Sequence, residues 1–170
     1  IEPADNFWSG EIFQTSALDV LERIVNGKYH VKHPEYLELQ QKITKSDLSR
    51  LKKELIDSGC TFLTLEDQDW PAGLNDLQSP PIGLVIKGDR GTLNNLNKSI
   101  SIVGSRKPTS YGYQIAKSLA MQAVKQELVV VSGGAYGIDT AAHIGVLAGD
   151  GKTICILAGG LNHLYPLENS

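Results

Sequence analysis

The sequence predicts an α/β protein, a doubly wound parallel sheet preceded by a small helical domain, and three observations carry that expectation. Short apolar runs at 99–103, 128–131 and 153–157 show no alternation, which suits strands buried on both faces of a parallel sheet. Helical patterns at about 111–125 and 139–147 separate them, as parallel crossovers require. Each run then leaves through glycine, at Gly104, at Gly133-Gly134 and at Gly159-Gly160. Three such turns at the carboxyl ends of parallel strands make a crevice, the place where these sheets bind ligands.

The front of the chain, residues 1–78, reads as short helices. Ser16 followed by Asp19 approximates a capping box, after which Leu18, Leu21, Ile24 and Val25 form one apolar face. Pro34 suits the first turn of a second helix carrying Tyr36, Leu37, Leu39 and Ile43. Ser46 or Asp47 can cap a third, 48–57, whose Leu48, Leu51, Leu55 and Ile56 are expected to face inward and whose stop is Gly59. A strand-like Thr61–Leu65 and an acidic turn follow, and Ser79-Pro80-Pro81 marks a boundary because it can continue neither helix nor central strand. Leu84-Val85-Ile86 is a short strand opening the second module, 79–170.

Composition narrows the function classes. A chain of 170 residues with 41% apolar content buries a core without staples. No apolar run approaches the roughly 20 residues of a membrane span, and the acidic start Ile1-Glu2-Pro3-Ala4-Asp5 does not read as a secretory signal. Cys60 and Cys155 read as reduced core thiols. Charge is uneven. Residues 1–80 carry 8 Lys+Arg against 14 Asp+Glu, a net of −6, whereas residues 81–170 carry 8 against 5, a net of +3. The back half is the one suited to an anion.

The chemistry points the same way. A strand that turns through Gly133, Gly134 and Gly137 into a helix is expected to bare backbone N–H groups at a helix N-terminus, an arrangement that holds phosphate. Arg106 leaves the first strand beside Ser105 and Lys107, and its guanidinium can fork onto a phosphate. The turn is neither G-x-G-x-x-G nor a Walker loop, which argues against a dinucleotide site and an ordinary NTPase. Asp139 and His143, four residues apart on one helix face, can meet. With Ser132 they suggest a Ser/His/Asp set, but G-x-S-x-G is absent, so the preferred reading is that they lock the loop. No third metal ligand accompanies them, and neither a catalytic residue nor a cofactor is expected. Tyr165-Pro166 offers an aromatic face near the crevice.

Ile102-Val103-Gly104-Ser105-Arg106, Tyr111-Gly112, the string Ser132-Gly133-Gly134-Ala135-Tyr136-Gly137-Ile138-Asp139, Ala142-His143, and Gly159-Gly160-Leu161-Asn162 with Tyr165-Pro166 resemble the signature of the bacterial DNA-processing protein A family, DprA or Smf. Order and spacing agree across about residues 80–170, and the helical front resembles the sterile-alpha-motif-like or helix-hairpin-helix-like region of many members. The resemblance implies a Rossmann-like sheet and a cytoplasmic protein that binds single-stranded DNA without chemistry, cofactor, metal or membrane. It implies protection of incoming strands during natural transformation, loading of RecA, and action as a homodimer. By motif match, Ser105, Arg106, Gly133, Gly134 and Gly137 contribute to the DNA pocket, and Lys107, Ser132 and Gly160 complete the expected contacts. Members continue into further strands and an F-P-x-R-N-R motif not found here, so the 79–170 module is expected to be incomplete. The alternative is an enzyme or sensor of small nucleotides similar to the lysine-decarboxylase-like phosphoribohydrolases. Against it, Ser132-Gly133-Gly134 lacks the proline and the Gly-Thr pair of their P-G-G-x-G-T turn.

Overall fold

The computed structural model describes residues 6–29 and 36–161. The chain divides into two compact units, residues 1–88 and 89–170.

The first unit runs through α1 (Asn6–Gln14), α2 (Ala17–Val25), α3 (Tyr36–Lys45), α4 (Leu48–Asp57), β1 (Cys60–Thr64) and β2 (Gly83–Lys87). Ser16 caps α2 by accepting from the Asp19 N–H, and its hydroxyl donates to the Asp19 carboxylate at 2.9 Å. Trp8, Ile12, Val20, Ile24 and Tyr36 form the core, so α1, for which the sequence offered no cap, supplies two of its five members. Pro34 lies outside the described residues. The strand at 83–87 pairs antiparallel with β1 and thereby joins this unit.

One expectation fails here. The apolar side of α4 is not inward: none of its residues is buried, and Leu48 is 72% exposed. Local signals hold this helix instead. Asp47 caps it, Arg50 pairs with Glu54 at 2.8 Å, and Gly59 at φ +68° ends it.

The second unit contains β3 (Ser99–Ser101), α5 (Ser110–Lys125), β4 (Val129–Gly133), α6 (Ile138–Ala148) and β5 (Thr153–Ile156). All three strands are parallel in the order β3-β4-β5, with Ser99 opposite Val129 and Val130 opposite Thr153. The fold is a Rossmann-like α/β sheet, and its strands all finish on one edge. Ile102 and Val130 pack against Ala116, Ala120, Ala123, Ala141, Ala142 and Val146 from the two helices. Small residues let α5 and α6 approach closely. A Cβ at Gly145 would stand 2.4 Å from the Lys117 carbonyl oxygen and 2.8 Å from the Ala120 Cβ.

Only β4 is buried on both faces, at Val129 and Val130. The residues of β3 are exposed, and Ile156 of β5 is 65% exposed, because these two strands are the edges of a three-stranded sheet. For the same reason Cys155 is not a core thiol but an exposed one, whereas Cys60 is buried. Among the described residues no helix is long and apolar enough to cross a membrane.

Candidate nucleic-acid interface

Two of the three glycine exits meet. The Ile138 N–H donates to the Ser105 carbonyl at 3.1 Å, tying the turn after β4 to the turn after β3. Gly137 makes the junction possible. Its φ of +87° belongs to glycine, and a Cβ there would stand 2.3 Å from the Ser105 carbonyl oxygen and 2.8 Å from Pro108 Cδ. Gly104 fits in the same way, since a Cβ on it would meet the Ile138 side chain at 2.9 Å. Gly160 takes φ +77° but has open space around it, so the third exit is not joined to the other two by such a contact. Tyr165 and Pro166 lie outside the described residues.

The first turn of α6 is devoted to the loop that precedes it. Asp139 is 8% exposed, and its Oδ2 accepts from the Ala135 N–H at 3.3 Å. The Thr140 hydroxyl donates to the Ala135 carbonyl at 2.9 Å. His143 Nε2 lies 3.0 Å from the Gly133 carbonyl oxygen, which can only accept, so this nitrogen is the donor of that contact. Its Nδ1 lies 2.8 Å from the Thr153 hydroxyl, itself 2.9 Å from the Val130 carbonyl oxygen, and the chain of contacts reaches β5. No hydrogen bond joins Asp139 to His143, although their spacing allowed one; each side chain holds backbone instead.

These bonds occupy two of the amides expected to be bare at the start of α6. The Ala135 and Ile138 N–H groups are spent internally, and the Asp139 carboxylate sits against Gly133, where a Cβ would come within 2.6 Å of its Oδ2. The loop carries its own anion, and a carboxylate next to a helix N-terminus is stabilised there as an external phosphate would be. Ser132 is likewise turned inward. It is 2% exposed, and its hydroxyl donates to the Ile102 carbonyl at 2.6 Å, linking the ends of β3 and β4. No hydrogen bond connects it with His143, so the Ser/His/Asp arrangement is not formed.

What the rim presents outward is cationic. Ser105, Arg106 and Lys107 are exposed, and neither Arg106 nor Lys107 forms a salt bridge among the described residues. The Ser105 Oγ accepts from the Lys107 N–H at 3.1 Å, which bends this turn back on itself. Gly133 and Gly134 are half-buried behind it. Among the described residues no group of three metal-ligating side chains occurs.

Cys155 lies near this machinery. Partial desolvation, and then the Asp139 carboxylate, push its thiol above the ordinary range. A raised value means less thiolate at any given pH, so iodoacetamide should label Cys155 with a pH midpoint above that of a free thiol. Asp139→Asn should move that midpoint down. A midpoint equal to that of a free thiol would contradict this environment.

The second unit is thus a parallel α/β sheet with a braced glycine loop and, on the same edge, an exposed Arg106-Lys107 turn that forms no salt bridge among the described residues. The chain belongs to the DNA recombination-mediator protein A family, whose profile matches residues 61–170. It is 36% identical over 122 residues to the DNA processing protein DprA of Bacillus subtilis, covering 72% of this chain and 41% of that protein. It is 37% identical over 110 residues to the protein Smf of Synechocystis, covering 64% of this chain and 28% of that one. Among solved structures it is similar to the X-ray structure of DprA from Streptococcus pneumoniae, with a TM-score of 0.66, 30% identity, and coverage of 90% of this chain and 56% of that chain. A second similar structure, described as showing the single-stranded DNA binding mode of DNA processing protein A from Helicobacter pylori, gives a TM-score of 0.52 at 33% identity, covering 64% of this chain and 48% of that chain. The chain thus spans less than half the length of these two curated relatives.

Proposed function

We propose that this chain carries a single-stranded DNA contact of a recombination mediator, made by the turn after β3. One observation supports it above the others: Arg106 and Lys107 are exposed, adjacent and without a carboxylate partner among the described residues, on a turn held in place by Gly137 and Ile138. An exposed Arg-Lys pair on a rigid turn tracks a phosphate backbone, with the Ser105 hydroxyl beside it. Gly133, Gly134 and Gly137 serve this contact by permitting the loop geometry, Ser132 by fixing the strand ends, and Gly160 by marking where the strand continues along the sheet edge. The similarity to the Helicobacter pylori protein, whose structure concerns single-stranded DNA binding, agrees with this reading.

In the fuller reading, the whole protein acts without catalysis as a cytoplasmic homodimer that loads RecA onto incoming DNA during natural transformation. Family membership supports this fuller reading, which concerns more than the residues described.

A fluorescence titration with oligothymidine and with a nucleoside monophosphate, each at two salt concentrations, tests the proposal. The oligomer is expected to bind with an affinity that falls as salt rises, and the monophosphate to bind far more weakly. Tight monophosphate binding without oligomer binding would replace this function with a small-nucleotide one.

A further inference from the structure

Within the first unit, α1 and the chain that leaves the 3-10 helix Ala72–Asp76 border a groove of about 230 Å³. Ser9, Gly10, Phe13 and Gln14 form its helical wall, and the 75–80 segment supplies the other. We infer that this groove docks an extended peptide segment of a partner protein, with one apolar side chain flanked by lysine or arginine. The proposal does not rest on the DNA contact. The volume is below that of ordinary small-molecule pockets and gives room for one side chain and its backbone.

Two features of α1 have no explanation within the fold. Ser9 is 5% exposed, yet its hydroxyl forms no hydrogen bond among the described residues, although buried polar side chains nearly always have a partner. Next to it Gly10 stands inside the helix, where glycine weakens the element relative to alanine. Its φ is not positive, and a Cβ on it would meet nothing within 4 Å, so neither backbone conformation nor packing requires it. An open floor beside an unpartnered buried hydroxyl suits the close approach of another backbone.

The walls select the occupant. Phe13 and Leu77 are 55% and 52% exposed, and with Pro80 they offer apolar surface to an aliphatic side chain. Trp70 Nε1 donates to Asn75 Oδ1 at 2.9 Å, so the Asn75 amide keeps its own hydrogens for another acceptor. The Gln14 and Gln78 carboxamides form no hydrogen bond among the described residues. Neutral donors and acceptors of this kind pair with a peptide backbone, and Leu77, extended at φ −71° and ψ 143°, lets one run alongside. No lining side chain is charged, but the surroundings are acidic. Residues 54–86 hold six carboxylates and no lysine or arginine, and α1 adds Glu11 without a base. Asp76, between two lining residues in the chain, is exposed and forms no salt bridge among the described residues. Such a field repels a polyanion and attracts basic residues on either side of the apolar one.

The test is an NMR titration of the full chain with a capped pentapeptide whose central leucine lies between two lysines. The Gly10 amide and the Trp70 indole N–H are the reporters, and both should shift. Glycine in place of the peptide's leucine should weaken binding by about tenfold or more. Glutamates in place of its lysines should weaken it several-fold at low salt, a difference that closes as salt rises. Gly10→Leu, whose side chain has open space to enter, should melt no lower than the wild type and abolish the Trp70 shift. Should that variant fail to fold by circular dichroism, Ser9→Ala decides. It should weaken the leucine peptide by about threefold to tenfold at unchanged stability, since its hydroxyl has no partner to lose in the free protein. Absent shifts, equal binding of the leucine and glycine peptides or of the lysine and glutamate peptides, or a folded Gly10→Leu protein that binds like the wild type overturns the proposal. So do the same shifts produced by oligothymidine, or a self-association that Gly10→Leu removes, because the groove then holds nucleic acid or a second copy.

Discussion

Gly137→Val should destabilise the unit spanning residues 89–170 by about 2–6 kcal/mol, the largest effect expected of any substitution at the site. Two costs combine. At φ +87° and ψ −120° the backbone occupies a region nearly closed to L side chains, and forcing valine there costs about 1–3 kcal/mol. The new Cβ would also stand 2.3 Å from the Ser105 carbonyl oxygen and 2.9 Å from the Arg106 carbonyl carbon. Both are backbone atoms that cannot rotate away, so the loops must separate, at an overpacking cost of about 1–3 kcal/mol. Separation breaks the bond from the Ile138 N–H to Ser105 and frees the cationic turn from its support. Hydrogen exchange of the β4 and α6 amides is the measurement of choice, with Gly160→Ala as control. Gly160 shares the positive φ but has nothing within 4 Å of its Cβ position, so that variant should show backbone strain alone. Equal effects at the two positions would mean that the contact between the loops contributes nothing.

The strands and α-helices of the second unit were legible in the sequence because each is announced locally, whereas the 3-10 helix Arg90–Lys98 was not anticipated. Three β-branched runs end in glycine, and the observed strands and helices begin and end within a residue or two of the expected positions. Capping chemistry was legible for the same reason at Ser16, Asp47 and Gly59. What escaped depends on atoms distant in sequence. Whether an N–H in the glycine loop is available is decided by a carbonyl at Ser105 and a carboxylate at Asp139, and no local pattern reports that both are engaged. Ser132 looked like a site residue because it follows a strand and opens a glycine turn. Its hydroxyl is consumed by Ile102, thirty residues away, a partner visible only once β3 and β4 lie side by side. The α4 face failed differently: periodicity tells which side of a helix is apolar, not whether anything covers it. In α1, Trp8 and Ile12 stand four apart and could have announced a helix, but Ser9-Gly10 interrupts the pattern and no capping residue was apparent.

The same logic shifts the weight of the site from backbone to side chain, and Arg106→Ala is where that shift can be measured. With the Ala135 and Ile138 amides engaged internally, Arg106 and Lys107 are the charged donors this rim offers to a phosphate. A charge-assisted hydrogen bond contributes about 1.5–3 kcal/mol, so Arg106→Ala should weaken oligothymidine binding by roughly tenfold to a hundredfold. On single strands each neutralised phosphate accounts for a slope of about 0.7 in the dependence of log affinity on log salt, and the variant should lose about that much. Stability should hardly move, because the side chain is exposed and forms no salt bridge among the described residues. Arg106→Lys separates charge from geometry. If a bidentate fork matters, lysine restores the salt slope but only part of the affinity; if any cation suffices, it restores both. An Arg106→Ala protein with wild-type affinity and slope would place the phosphate contacts elsewhere on the sheet edge, and the braced glycine loop would then be shaping the fold without presenting a ligand.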